Sequence, residues 1–444
     1  MSQTFACAEC GFSASKWFGR CPDCGSWSSA LSPSAPDGLE IVTLDGNAEA
    51  PARRATGSPE VDRVLGGGLV TGSVILLAGE PGIGKSTLVL QLLDSLECAS
   101  LLVTGEESVQ QVGMRATRLG LDRGRLRVAP STSLAAVVAA AASSPGDVLV
   151  IDSIQTLHDE SLEGSPGSPT QVRGCATRLV ELAKATGLTV ILVGHVTKEG
   201  AVAGPKALEH VVDAVVTLDG ERTGRLRLLR ATKNRFGPCD ETGVFVMSDA
   251  GLRAVPDPSA LFLEDRHAGV PGSVVLPTID GTRPLLVEVQ AMVTAADQDG
   301  RRSAIGLDAR RLSMLVGVLS TRAEVAMGRR DVFVAVAGGL SVKEPAADLA
   351  MCLALQTARE NVTIDPSTVA FGEIGLAGEV RRVHSLERRL AEAARMGFAR
   401  AIVPRKGASD ARGIEVIPVA DLREAFGAVV VRQSDAIVTP IARA

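Results

Sequence analysis

Apolar residues along this chain follow two alternating rhythms. Unbroken apolar runs read as strands buried on both faces: Val74-Ile75-Leu76-Leu77-Ala78, Leu101-Leu102-Val103-Thr104, Val148-Leu149-Val150-Ile151-Asp152 and Thr189-Val190-Ile191-Leu192-Val193-Gly194-His195. Between them lie helical stretches: Leu88 to Leu93, Leu134 to Ala142, and a segment with Val172, Ala176, Leu179 and Ala183 on one face and Arg173 and Arg178 elsewhere. Strand alternating with helix over 56–255 predicts a parallel sheet in an α/β domain, with a further strand at 226–230. Pro256 and Pro258 mark a boundary. Over 260–444 the rhythm resumes, with strands predicted at 274–277 and 285–289 and helices at 312–326 and 346–360. Ser28 to Arg54 is rich in Ser, Pro, Ala and Gly without periodicity, which places a linker over 31–55 after a small module over 1–30.

Composition narrows the class. Apolar residues are 45% of 444, enough for sizeable cores, while aromatics are 3% with no Tyr, so those cores are aliphatic. A net charge of −5 excludes a uniformly basic nucleic-acid coat but leaves room for a local basic groove. The first residues lack a charged segment followed by an apolar one, and the apolar stretch at 134–142 is too short to span a bilayer. The expectation is a cytoplasmic protein with no membrane partner.

The chemistry concentrates at Gly79-Glu80-Pro81-Gly82-Ile83-Gly84-Lys85-Ser86-Thr87, which fits G-x-x-x-x-G-K-[ST] between a predicted strand and a predicted helix. The glycines let backbone N–H groups face phosphate oxygens, and the helix N-terminus adds partial positive charge. Lys85 is placed to reach the β- and γ-phosphates, and Ser86 to hold magnesium. ATP and magnesium are therefore the expected cofactors. Asp152 ends its strand where it can act on the magnesium through water. Glu106 and Glu107 follow another strand, where one of them can orient the attacking water. His195 stands at a strand tip beside the same site, where it can sense the γ-phosphate.

Cys7-Ala8-Glu9-Cys10 and Cys21-Pro22-Asp23-Cys24 are two C-x-x-C pairs ten residues apart, four thiolates for a structural zinc. Trp17, Phe18 and Trp27 are available to pack this module, and Gly11 and Gly25 suit tight turns after each pair. Cys98, Cys175, Cys239 and Cys352 are scattered, which suits small buried residues and argues against a disulfide framework.

Polymer contact has several candidates. Leu162 to Thr170 and Thr197 to Lys206 are Gly-rich, irregular loops on the phosphate-loop edge; they fit either a polymer site or mere disorder. Lys233-Asn234-Arg235-Phe236-Gly237 sets two cations around a short turn, suited to a phosphate in nucleic acid or in a neighbouring subunit's triphosphate, or to plain solvation. Arg301, Arg302, Arg310, Arg311, Arg322, Arg329 and Arg330 form a basic excess, either a solvated face or a strip that steers a nucleic-acid backbone.

The order of these features resembles the bacterial RadA (Sms) DNA-repair family over nearly the whole chain: the four-cysteine module, the phosphate loop, Lys-Asn-Arg-Phe-Gly and Phe371-Gly372-Glu373-Ile374-Gly375-Leu376. Further matching stretches are Asp62 to Leu69 and Glu344 to Ala350. The resemblance implies a RecA-like P-loop ATPase core with a mainly parallel sheet and a C-terminal α/β domain shaped like the Lon protease. It implies a homo-hexameric ring around single-stranded or branched DNA, and an ATP-driven motor of helicase or branch-migration type in homologous recombination beside a recombinase. The two Gly-rich loops then match loops facing single-stranded DNA. Lys233 and Arg235 match signature cations that act across subunits. Where Lon proteases carry the nucleophilic Ser, this chain has Ala346, and the Lys position falls near Glu387, so peptidase chemistry is not expected. An ATP-dependent protease and a KaiC-like ATPase acting on proteins are the competing readings.

Overall fold

The computed structural model describes residues 5–7, 9–10, 12–14, 18–27, 30–31, 51–122, 124, 126–143, 147–195, 205–220, 224–297 and 300–429. They belong to two compact units, Met1–Pro51 and Ala52–Ala444.

The first unit carries a three-stranded antiparallel sheet, with Phe5–Cys7 between Ser13–Ala14 and Ala30–Leu31. Two knuckles repeat one geometry: Cys7 N donates to Phe12 O and Cys21 N to Ser26 O, each at 2.8 Å. Gly25 closes the second knuckle at φ 74°, where its N–H reaches Cys21 O at 2.9 Å. The aromatic packing differs from the sequence expectation. Phe12 and Phe18 meet edge to face at 5.8 Å, whereas Trp27 is 73% exposed beneath the Arg20 guanidinium. Trp17 and Gly11 lie outside the described residues.

In the second unit, nine strands form one sheet in the order Gly251–Ala254, Thr242–Ser248, Leu226–Asn234, Ala214–Asp219, Val74–Gly79, Thr189–His195, Val148–Asp152, Ser100–Thr104, Val128–Pro130. The last six are mutually parallel and the first three add on antiparallel. The strand period of two explains the double burial. Ile75 and Leu77 pack on one face with Leu88 and Leu92 of the helix Lys85–Ser95. Val74, Leu76 and Ala78 pack on the other with Val172, Cys175, Leu179 and Ala183 of the helix Pro169–Thr186.

A second sheet of seven strands runs Arg302–Ile305, Arg330–Val336, Arg283–Ala295, Ser273–Asp280, Thr368–Ala370, Arg400–Pro404, Glu415–Val419. Helices Ala309–Arg322 and Asp348–Glu360 bury Leu312, Leu315, Leu319, Leu349 and Leu353 in its core. Asp308 caps the first of these helices through the N–H groups of Arg310 and Arg311, so it starts a few residues earlier than periodicity suggests; it ends at Arg322.

The boundary at Pro256 and Pro258 is a joint between closely packed layers. Glu60, from the helix Pro59–Leu65 beside the nine-stranded sheet, forms a buried ion pair with Arg283 of the second sheet. Arg230 Nε reaches Asp280 Oδ1 at 3.1 Å across the same joint, and Leu228 and Val244 belong to the second sheet's core.

Candidate functional site

Val74–Gly79 delivers the chain to the C-terminal edge of the parallel sheet, and Lys85–Ser95 leaves from it. Two positions of this loop require glycine. A Cβ on Gly79 would sit 2.6 Å from Leu218 O, and Gly82 holds φ 80° facing open space. Gly84 stands at the helix N-cap and no side chain caps that end, so the first-turn N–H groups remain available to an anion.

Lys85 is 4% exposed and all three of its N–H donors are engaged. They reach Gly79 O at 2.9 Å, Glu80 O at 3.0 Å and His195 Nδ1 at 3.1 Å. Burial pushes the Lys85 ammonium below its ordinary pKa, against the opposing pull of Asp152 and Glu106. His195 Nε2 lies 3.1 Å from Glu106 Oε1, and the buried Ser153 hydroxyl donates to the same oxygen at 2.5 Å. Burial works against ionisation of Glu106, but the hydrogen bonds from Ser153 and His195 outweigh it and hold the carboxyl below the usual range. Asp152 is raised instead, chiefly by burial and further by the charges of Glu106 and Glu107, while a hydrogen bond with Ser86 opposes the shift. The Ser86–Asp152 pair fits the oxygen-donor chemistry magnesium requires. The glycine cradle, Lys85 and the open helix end fit the phosphates of ATP, whose magnesium complex supplies the transferable phosphoryl group when bound.

The structure separates the two adjacent acids. Glu106 faces the phosphate loop through His195, while Glu107 is paired with Arg115 of the following helix. It also adds a cation that motif reading missed. Arg227, 4% exposed, lies behind the loop and donates from Nε to Ile83 O at 2.9 Å. No sequence signal marks Arg227, because the contact joins residues far apart in the chain.

Lys233 and Arg235 do not join this site. Lys233 lies within its strand and pairs level with Val215, which is itself level with Leu76 near the start of the parallel strands. Both cations therefore occupy the sheet edge opposite the phosphate loop. Lys233 Nζ donates to Glu209 O and, at 2.7 Å, to Val212 O, and Arg235 reaches Asp213 Oδ1 at 3.1 Å. Burial and then the neighbouring Arg235 push Lys233 below its ordinary pKa.

Comparison with known proteins now bears on this geometry. A DNA repair protein RadA from Pseudomonas aeruginosa is 48% identical over 96% of this chain and 98% of its own length. One from Aquifex aeolicus is 43% identical over 95% and 98%. The chain belongs to the RadA family. Family models add the parts: a rubredoxin metal binding domain matches 5–30, an AAA domain 46–201, and subunit ChlI of Mg-chelatase 312–407. A solved KaiC-like protein from Pyrococcus horikoshii is 21% identical with a TM-score of 0.39, covering 46% of this chain and all of its own. RadA-family membership and the AAA match make the nine-stranded domain a P-loop ATPase core, and the second sheet is the Lon-like domain.

The metal-binding module passes a geometric test. The four Sγ atoms of Cys7, Cys10, Cys21 and Cys24 lie within 4.8 Å of one another, with Cys7–Cys24 at 3.7 Å and Cys10–Cys21 at 3.6 Å. Tetrahedral zinc with Zn–S bonds near 2.3 Å sets sulfurs about 3.8 Å apart, so the four thiols fit a closed, structural zinc site. Of the other cysteines, Cys175 and Cys352 are buried as expected, Cys98 is half-buried and Cys239 is exposed.

In the Lon-like domain Ala346 is buried and Glu387 exposed. Around Ala346, Arg389 donates to Glu344 at 2.8 and 2.5 Å and to Pro277 O at 2.6 Å. The arginine strip is only partly a strip. Arg311 turns inward onto Asp348, with Nε to Oδ1 at 2.7 Å, and faces Glu373 at 3.5 Å. Arg301, Arg310, Arg322 and Arg329 are exposed, whereas Arg302 and Arg330 are half-buried.

The loop from Leu162 to Thr170, irregular in sequence, is gathered around one buried side chain. Gln171 Nε2 donates to Asp159 O, Leu162 O and Gly164 O at 3.0, 2.8 and 3.3 Å. Most of Thr197 to Lys206 lies outside the described residues.

Proposed function

We propose that this protein is an ATP-driven DNA motor of helicase or branch-migration type, acting on single-stranded or branched DNA in homologous recombination. The observation that carries the reading is the division of cations between opposite edges of one sheet. Lys85 serves the chain's own nucleotide. Lys233 and Arg235 are too far from it to do so, which suits a neighbouring subunit's nucleotide or DNA in a homo-hexameric ring. In this reading Ser86 and Asp152 hold the magnesium, Glu106 aims the attacking water, and the exposed arginines of the Lon-like domain neutralise phosphates. The Lon-like domain acts as a ring platform with no peptidase activity, because a buried methyl group at Ala346 has no nucleophile to offer. The protein works in the cytoplasm alongside a recombinase.

The deciding experiment measures ATP turnover with and without single-stranded DNA on a sample whose mass is determined in parallel. Hexamers whose turnover rises on adding DNA are expected. A monomer, or turnover indifferent to DNA, rejects the proposal.

A further inference from the structure

We propose that His195 is a positioning residue that links the aim of Glu106 to the location of Lys85. The inference rests on the reading that Glu106 orients the attacking water. An ammonium has no lone pair, so Lys85 donates to Nδ1, and the ring then carries its proton on Nε2 and donates it to Glu106 Oε1. One imidazole thus spans the phosphate-loop cation and the water-aiming carboxylate.

Lys85 has no spare donor. To reach a phosphate oxygen it must release Gly79 O, Glu80 O or His195 Nδ1. The two carbonyls belong to the backbone of the phosphate loop, which cannot yield without losing the phosphate cradle. The imidazole hangs on rotatable bonds and is the contact that gives way. Its backbone stays put, because His195 pairs in parallel register with Gly79. Loss of the donor at Nδ1 leaves the ring held only through Nε2, free to turn and to carry the Glu106 contact with it. The buried Ser153 hydroxyl, 2.5 Å from Glu106 Oε1, is the fixed pivot about which the carboxylate is re-aimed. Glu106 thereby receives one constant hydrogen bond and one that depends on whether Lys85 has engaged phosphate.

The test uses the full chain and steady-state ATP turnover, with thermal unfolding as a check on folding. His195→Ala should lower kcat by about 10- to 100-fold, the range for a misplaced catalytic group, with KM for ATP changed by no more than about threefold. His195→Gln should return kcat to within about threefold of wild type, because the amide accepts from Lys85 through Oε1 and donates to Glu106 through Nε2. Glu106→Gln should cost about 10²- to 10⁴-fold, and adding His195→Ala to it should cost nothing further, since the imidazole acts through the carboxylate. Wild-type kcat in folded His195→Ala, or effects that multiply in the double variant, would overturn the proposal. Near-normal turnover by Glu106→Gln is a separate result that removes the reading of Glu106 itself.

Discussion

The two large sheets of the larger unit use buried charge in opposite ways. At the C-terminal edge of the nine-stranded sheet, His195 bridges Lys85 and Glu106 through hydrogen bonds that a ligand can exchange, and Asp152 bonds Ser86, beside a helix N-terminus that no side chain caps. Around Ala346 in the Lon-like domain, the charged groups close on themselves. Arg389, 1% exposed, meets Glu344 in a two-point pair, and Arg311 meets the fully buried Asp348. Ion pairs of the second kind hold a fold in one arrangement. The polar groups of one α/β domain therefore await a partner, while those around Ala346 in the other satisfy each other.

The largest effect should come from breaking the open site. Lys85→Ala is expected to lower ATP turnover by about a thousandfold or more, because the cation stabilises charge on the transferred group, while the unfolding midpoint stays near wild type. Turnover within tenfold of wild type in a folded variant would contradict the contrast.

Next comes the closed pair. Glu344→Gln should destabilise the protein by about 3–5 kcal/mol, read by urea unfolding, and leave casein uncleaved, since the loss is structural. The pair also sets a pH dependence. Burial opposes ionisation of Glu344, but Arg389, Thr278 and the Ile279 N–H outweigh it and hold its carboxyl below the ordinary range. A depressed carboxyl stabilises the fold above its unfolded value, about 4.3, and that contribution is lost as pH falls through the lower folded value. The stability gap between wild type and Glu344→Gln should be widest at neutral pH and shrink below about pH 4.

The smallest effect on the nucleotide site should come from the far edge. Lys233→Ala is expected to leave KM for ATP within about twofold while lowering DNA-stimulated turnover by roughly tenfold, as for a cation acting on a neighbour or on DNA. A large rise in KM with stimulation intact would show that the opposite-edge placement does not separate the two functions.

Much of this was legible in the chain because it is local. The phosphate loop between its strand and helix, the two C-x-x-C knuckles, and the apolar runs ending at Asp152 and His195 each lie within a few residues, where spacing alone dictates which groups can converge on one ligand. What sequence could not supply is contact between distant segments. Arg227 behind Ile83, Arg311 turned onto Asp348, and Glu106 rather than Glu107 facing His195 all depend on which elements pack side by side. Neighbouring acids such as Glu106 and Glu107 are equivalent in a linear pattern. Only the folded chain, by bringing Arg115 to one and His195 and Ser153 to the other, makes them different. The same holds for the cations of Lys-Asn-Arg-Phe-Gly: composition leaves a phosphate site and plain solvation both open, and only the antiparallel run of their strand carries them to the edge away from Lys85.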